Sequence, residues 1–244
     1  MRVSVELVPR EKNSFVKDVE TVKDNFPSVD TINVPDIVRY SLRSWEGCAL
    51  ASRFFKYTIP HIRAVDIKEN GFLSVKNILE KNNISEVLVI SGDTAGSGFG
   101  GDKSPALEVI RIFKKEMPHV KVYAGIDPYR WSLKNEYAYI QRKIEIGVNG
   151  FFTQPFFDLN LMKVYADWLS SIEVFWGVSP VTSERSLQYW SVNNNVVFPK
   201  DFSPTLEWNK KFARIVLSFA REMGHNVYFM PIRLNVQEYL RGVL

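Results

Sequence analysis

Polar side chains recur in this chain just where short apolar runs stop: Glu6, Asn33, His61, Asp93, Asp127, Gln154 and Arg233. Turns favour Asp and Asn whatever the function, so that part of the set is also explained by turn chemistry. Glu6 and Gln154 are not turn formers. A carboxylate or amide at the end of a buried strand costs desolvation that a ligand or partner must offset. His61 has two readings, a site histidine or a core histidine bonded to a neighbouring carbonyl.

A second group lies at helical spacing. Glu136, Tyr139 and Lys143 fall at i, i+3 and i+7, with Arg142 beside them. On pattern alone this face reads as solvated; Arg142 and Lys143 would grip a phosphate only if the helix faced a pocket. Gly96–Gly101, GSGFGG, matches G-x-G-x-x-G in letters. However, Asp93-Thr94-Ala95 separate it from the preceding strand and the helix starts only near Pro105, so the loop reads as a cover over a pocket rather than a dinucleotide fingerprint. Phosphate-loop, nucleophile-elbow and C-x-x-C patterns are absent from the sequence. Trp190 and the Phe151, Phe152, Phe156, Phe157 group are core by default, although a flat ligand could stack on one of them.

The elements that must position these residues alternate. Strands are expected at Val3 to Val8, Val29 to Val34, Thr58 to Val65, Glu86 to Ser91, Val120 to Gly125, around Phe151, at Glu173 to Trp176 and at Val227 to Met230. Between them fall helical patterns at 12–25, within 37–57, and at 72–81, 105–117, 136–148, 160–169, 185–190 and 206–223, with a closing turn at 236–240. In the 136–148 helix Tyr137, Ile140, Ile144 and Val148 form the apolar stripe, and Pro155 is expected to end strand pairing after Gln154. Eight strands alternating with helices, without a linker, predict a single-domain (β/α)8 TIM barrel over 1–244. In that architecture the strand C-termini form the working face, so the polar residues found there are the candidate site.

Totals narrow the function. A net charge of +4 in 244 residues, spread along the chain, does not suggest nucleic acid. The single cysteine, Cys48, excludes an internal disulfide and fits a reducing compartment. The three histidines are scattered, so no metal site is expected. Without an apolar leader or a run of membrane-spanning length the chain reads as cytoplasmic, with no membrane partner. Association with further copies of itself is left open.

In this order the residues resemble the methylenetetrahydrofolate reductase family of flavin-dependent barrel enzymes, over nearly the whole chain. SVELVPR looks like the family's opening strand and puts Glu6 in the catalytic glutamate's place. IPHIRAVD looks like its proline-histidine strand, which assigns His61 to the flavin, and VLVISGD is similar to its Gly-Asp strand, which makes Asp93 the acid beside pterin and flavin. With these go Asn33, Ser91 and Gly92 as cofactor contacts. EYAYIQRKIEIGVNGFFTQPFFD is similar to the family's helix-strand unit, which implies flavin contacts for Glu136, Tyr139, Arg142 and Lys143 and a pterin contact for Gln154. WGVSPVTSERSLQYW leads to Trp190, where an aromatic usually stacks on substrate or nicotinamide, and Arg233 sits where the last strand supplies an arginine to the folate. The chain departs from the family on the flavin side: Ser91 replaces an arginine, Asn33 a threonine, and GIDPYR replaces a Y-P-E-x-H-P run.

The resemblance implies an oxidoreductase of one-carbon metabolism, on the route to methionine, that reduces 5,10-methylenetetrahydrofolate with FAD as cofactor and NAD(P)H as donor. Alternatives are a flavin-free or methanopterin-type reductase and a non-catalytic pterin-binding subunit. The partner expected in each case is a small folate or pterin.

Overall fold

In the computed structural model, residues 1–92 and 104–244 are described, with backbone alone for 68–70. Parallel strands β1 (Val3–Glu6), β2 (Thr31–Val34), β3 (Tyr57–Arg63), β4 (Glu86–Ile90), β5 (Lys121–Ile126), β6 (Gly150–Pro155), β7 (Glu173–Val178) and β8 (Asn226–Phe229) close into a barrel in sequence order. Helices α1 (Lys12–Asn25), α2 (Ser44–Ala51), α3 (Ala64–Asn70), α4 (Phe72–Lys81), α5 (Pro105–Glu116), α6 (Leu133–Glu145), α7 (Leu159–Trp168), α8 (Glu184–Gln188), α9 (Leu206–Glu222) and α10 (Val236–Leu240) complete the chain, with a π-helical turn at Tyr189–Asn193 after α8. The expected single-domain TIM barrel is the observed fold.

Strand alternation divides the side chains. Val3, Val5, Ile32, Val34, Val87 and Val89 point outward into the main core shared with the helices. Inward, Ile59, Leu88, Tyr123, Phe152, Phe175 and Tyr228 pack into a separate interior layer, where Phe152 and Phe175 stack at 4.0 Å. That layer fills the barrel, so a ligand at the C-terminal rim has an aromatic floor.

The opposite end is closed by charge. Arg2 donates both terminal nitrogens to Glu86, at 2.8 and 3.1 Å, and its Nε to Thr31 Oγ1 at 3.1 Å, with its guanidinium 4.0 Å above the Tyr57 ring. Tyr123 and Asn226 each donate to Glu173 beside it, at 3.0 and 2.9 Å. This plug ties β1, β2, β4, β5, β7 and β8 together away from the working face.

Several expectations need correction. The apolar spacing within 37–57 yields helix only over α2, because Asp36 and Arg43 pair ahead of it (Arg43 Nε to Oδ1, 2.9 Å) and Ser44 Oγ donates to the His61 carbonyl at 2.7 Å. Strand β3 stops at Arg63 rather than Val65, and α3 starts at once. Pro155 does not end pairing early: it remains in β6 opposite Gly177, after a register shift between Phe152 and Pro155. The shift is tolerated because Thr153 Oγ1 accepts the Gly177 N–H at 2.8 Å, standing in for a ladder partner. Gly177 is required there, since a Cβ would lie 2.2 Å from the Thr153 carbonyl oxygen.

The face of α6 is also corrected. Glu136, Tyr139 and Lys143, which read as solvated, are 2%, 3% and 4% exposed, whereas Tyr137 of the apolar stripe is 42% exposed. The polar face turns inward because partners await it there.

Candidate functional site

The working rim is built on β1, β2, β3 and β8. Period-two alternation turns Glu6 inward from the last position of β1, where it pairs in register with Asn33 on β2. From the third strand comes His61, in register with Leu88 of the floor. Tyr228 rises from the floor on β8 and its hydroxyl donates to Glu6 Oε2. His61 Nε2 lies 4.0 Å from the same oxygen. Asn33 donates through Nδ2 to Ser4 Oγ at 3.2 Å, while Asn33 Oδ1 and His61 Nε2 are buried without a hydrogen-bond partner among the described residues. Native interiors rarely leave such atoms unpaired, and at a rim they are where a ligand's donors would go.

Burial sets the protonation states. Glu6 is pushed up to about 7 by loss of hydration, which outweighs the opposing hydrogen bond from Tyr228. His61 is pushed down to about 4 by burial, against the pull of the Asp36 carboxylate. Near neutral pH the histidine is uncharged and the carboxyl is close to half protonated, so their 4.0 Å approach is not an ion pair. A carboxyl that can hold a proton beside a neutral imidazole can act as an acid.

Gln154 stands at the same rim on β6, with its side chain exposed. Arg233 is exposed in the turn after β8, with a left-handed φ of 60°. Trp190 is buried in the π-helical turn, 5.7 Å edge-on to Phe157 within a cluster that includes Val181 and Val196. Its ring is buried in that cluster, 6% exposed. Ser91 and Gly92 follow β4; Gly92 has a φ of 88°, and the Ser91 carbonyl accepts from Val65 N at 3.3 Å. Asp93 and the glycine-rich loop lie outside the described residues.

The buried face of α6 forms its own network. Lys143 Nζ donates to the Gly125 carbonyl at 2.6 Å and sits 3.9 Å above the Tyr139 ring. Ser104 Oγ and the Tyr139 hydroxyl are 2.7 Å apart, and Glu136 Oε1 accepts from Asp127 N at 3.3 Å. Burial lowers Lys143 to about 8 and raises the carboxyls of Glu136 and Asp127. Arg142, on the same helix, is half-buried. A flavin dinucleotide needs cations and N–H donors open to its pyrophosphate. Here Lys143 is held by a carbonyl and a ring and flanked by two carboxyls, so as packed this lysine is not open to that group.

A family model described as methylenetetrahydrofolate reductase matches residues 47–226, most of the barrel. The chain belongs to the methylenetetrahydrofolate reductase family. Among relatives of this family, 5,10-methylenetetrahydrofolate reductase of Buchnera aphidicola from Schizaphis graminum is 24% identical over 202 residues, covering 75% of this chain and 69% of the relative. The Salmonella typhimurium and Escherichia coli enzymes of that name are 23% and 22% identical, over 61% and 57% of this chain. The match spans about half of those two relatives, 52% and 49%. Among solved structures, a Clostridium thermocellum protein that binds two copies of 5-methyl-5,6,7,8-tetrahydrofolic acid superposes with a TM-score of 0.62 at 11% identity, over 99% of this chain and 93% of that one. A 2,3-dimethylmalate lyase does so at 0.61 and 8%, over 96% of this chain and 75% of the lyase, so these likenesses concern the barrel alone.

Within this reductase-family barrel, Tyr228 is the rim residue that motif reading missed. The signal was available in Asn226-Val227-Tyr228-Phe229-Met230, where alternation puts Asn226, Tyr228 and Met230 on one side and hence inside. Among the described residues no cluster of three or more His, Cys, Asp or Glu could hold a metal, and no helix is long and apolar enough to cross a membrane.

Proposed function

We propose that this protein reduces 5,10-methylenetetrahydrofolate, or a closely related one-carbon pterin, to its 5-methyl form, with NAD(P)H as the source of hydride. Family membership supports the oxidoreductase class and the folate substrate. The observation that carries the chemistry is the placement of Glu6, a carboxyl only 12% exposed that meets the Tyr228 hydroxyl above the aromatic floor of the barrel, where loss of hydration keeps it protonatable at neutral pH.

Glu6 acts as the general acid. Its proton goes to the bridging nitrogen that leaves the imidazolidine ring; the ring opens to an iminium on the other nitrogen, and the methylene carbon accepts hydride. One proton and one hydride are consumed and the carbon ends as methyl. Gln154, exposed at the same rim, offers an amide donor and acceptor to the pterin edge, and Asn33 Oδ1 an acceptor without a partner among the described residues. Arg233 offers a cation to the glutamate tail. Neutral His61 keeps the acid from being trapped as a carboxylate ion pair.

Flavin dependence is the family's rule, and a bound flavin would supply the relay that carries hydride from nicotinamide to folate. The contacts that hold Lys143 and Tyr139 favour a second reading, in which the nicotinamide donor reduces the iminium directly. The test uses the purified protein with NADH and methylenetetrahydrofolate. A yellow protein bleached by NADH supports the flavin route; a colourless one that oxidises NADH only with the folate supports direct transfer. Glu6→Gln is expected to lower reduction at least a hundredfold while 5-methyltetrahydrofolate still binds in calorimetry. Turnover retained in that variant would refute Glu6 as the acid.

A further inference from the structure

We propose that Tyr228 is the positioning residue of the Glu6 acid: by donating to Oε2 it confines the exchangeable proton to Oε1, the oxygen left for a ligand. This rests on the reading of Glu6 given above and adds a residue which the family resemblance does not assign.

Tyr228 is buried and the Glu6 side chain is only 12% exposed, so the direction of their hydrogen bond is constrained. Among the described residues Glu6 Oε2 is the acceptor that the Tyr228 hydroxyl meets. If the carboxyl instead donated to the tyrosine oxygen, the phenolic O–H would be buried with no acceptor, which costs more than the bond returns. Tyr228 therefore donates in both protonation states of Glu6. Burial and the adjacent carboxyl hold the phenol well above its ordinary value, so it does not ionise in the working range. When Glu6 takes up a proton, Oε2 is already the acceptor and the proton resides on Oε1.

The surroundings leave little else to do this. The titratable groups facing Glu6 among the described residues are Tyr228 from β8 and His61 from β3; β2 offers Asn33, which carries no charge. His61 Nε2, at 4.0 Å, is too far for a hydrogen bond and is neutral. The tyrosine itself is fixed by the floor, its ring edge-on to Phe152 at 5.2 Å. Rigid packing below and a single polar contact above are what orient an acid, as distinct from merely burying it.

Tyr228→Phe removes the hydroxyl and keeps the ring in the floor, so the barrel should fold. The experiment titrates the Glu6 carboxyl by carbon NMR of glutamate-labelled protein, with the Glu6→Gln spectrum assigning the resonance, and measures folate reduction against pH. Because a hydrogen bond that stabilises the carboxylate is lost, the midpoint should rise by about one pH unit. The alkaline fall in kcat/KM should move upward with it, kcat at its plateau should drop about tenfold, and the folate KM there should change less than twofold. A bystander tyrosine would leave midpoint and profile where they were, and that result overturns the proposal. An inert wild type whose Glu6 midpoint still moves in Tyr228→Phe upholds the positioning contact and refutes the folate reading instead.

Discussion

Replacing Glu6 with Gln should make the protein more stable above neutral pH and leave it nearly unchanged in acid. The folded carboxyl titrates at about 7 against an ordinary 4.5, because burial disfavours the charged form. Between those values the folded state holds a proton that the unfolded chain has released, so stability is full below 4.5, declines as pH rises to 7, and is level above. A displacement from 4.5 to about 7, at about 1.4 kcal/mol per pH unit, gives a penalty of about 3 kcal/mol at pH 8. Glutamine carries no charge and can still accept from Tyr228, so it escapes the penalty. His61, moved from 6.5 to about 4, works the other way: its contribution is lost as pH falls below 6.5, and it cancels because both proteins carry it. The assay is urea unfolding of both proteins at pH 5 and pH 8. At pH 8 the variant's midpoint should exceed that of the parent by about 1 M; at pH 5 the gain should fall below about 1 kcal/mol. An equal gain at the two pH values, or none at pH 8, would refute the idea that Glu6 is held out of water.

Gly177→Ala should cost about 3 kcal/mol or more and weaken folate binding, because its Cβ would meet the Thr153 carbonyl oxygen at 2.2 Å and the Gln154 carbonyl carbon at 2.9 Å, forcing β6 and β7 apart. Thermal melting and folate calorimetry read the two effects. Arg2→Met leaves the buried Glu86 carboxylate with only the longer, half-exposed Lys121 contact at 3.8 Å and should lower stability by about 2–3 kcal/mol, while folate turnover below the melting temperature stays within twofold, since the plug lies at the far end from the rim.

The barrel was legible because its strands are short apolar runs at regular intervals and its helices carry apolar stripes. Glu6, Asn33 and His61 were readable as rim residues because strand ends of a parallel barrel share one face. What escaped was pairing that depends on distant chain. The polar face of α6 read as solvated because nothing in its spacing reveals the Gly125 carbonyl and Ser104 hydroxyl that meet Lys143 and Tyr139. Tyr228 escaped because an aromatic in a barrel strand is core by default; only its register beside β1 brings it to Glu6. Trp190 read as core by default from its pattern, and the π-helical turn packs it edge-on to Phe157. Pro155 suggested a halt to pairing, which the Thr153 side chain circumvents.

The most direct test of Glu6 as a protonated acid is the pH dependence of methylenetetrahydrofolate reduction at saturating NADH, in wild type and in Glu6→Gln. Wild-type kcat/KM for the folate, which reports the free protein, should be level below about 7 and fall about tenfold per pH unit above it, as the carboxyl loses its proton. The variant's residual rate should lack that fall. A wild-type rate level from pH 5 to 9, or an alkaline fall that survives in Glu6→Gln, would contradict the account.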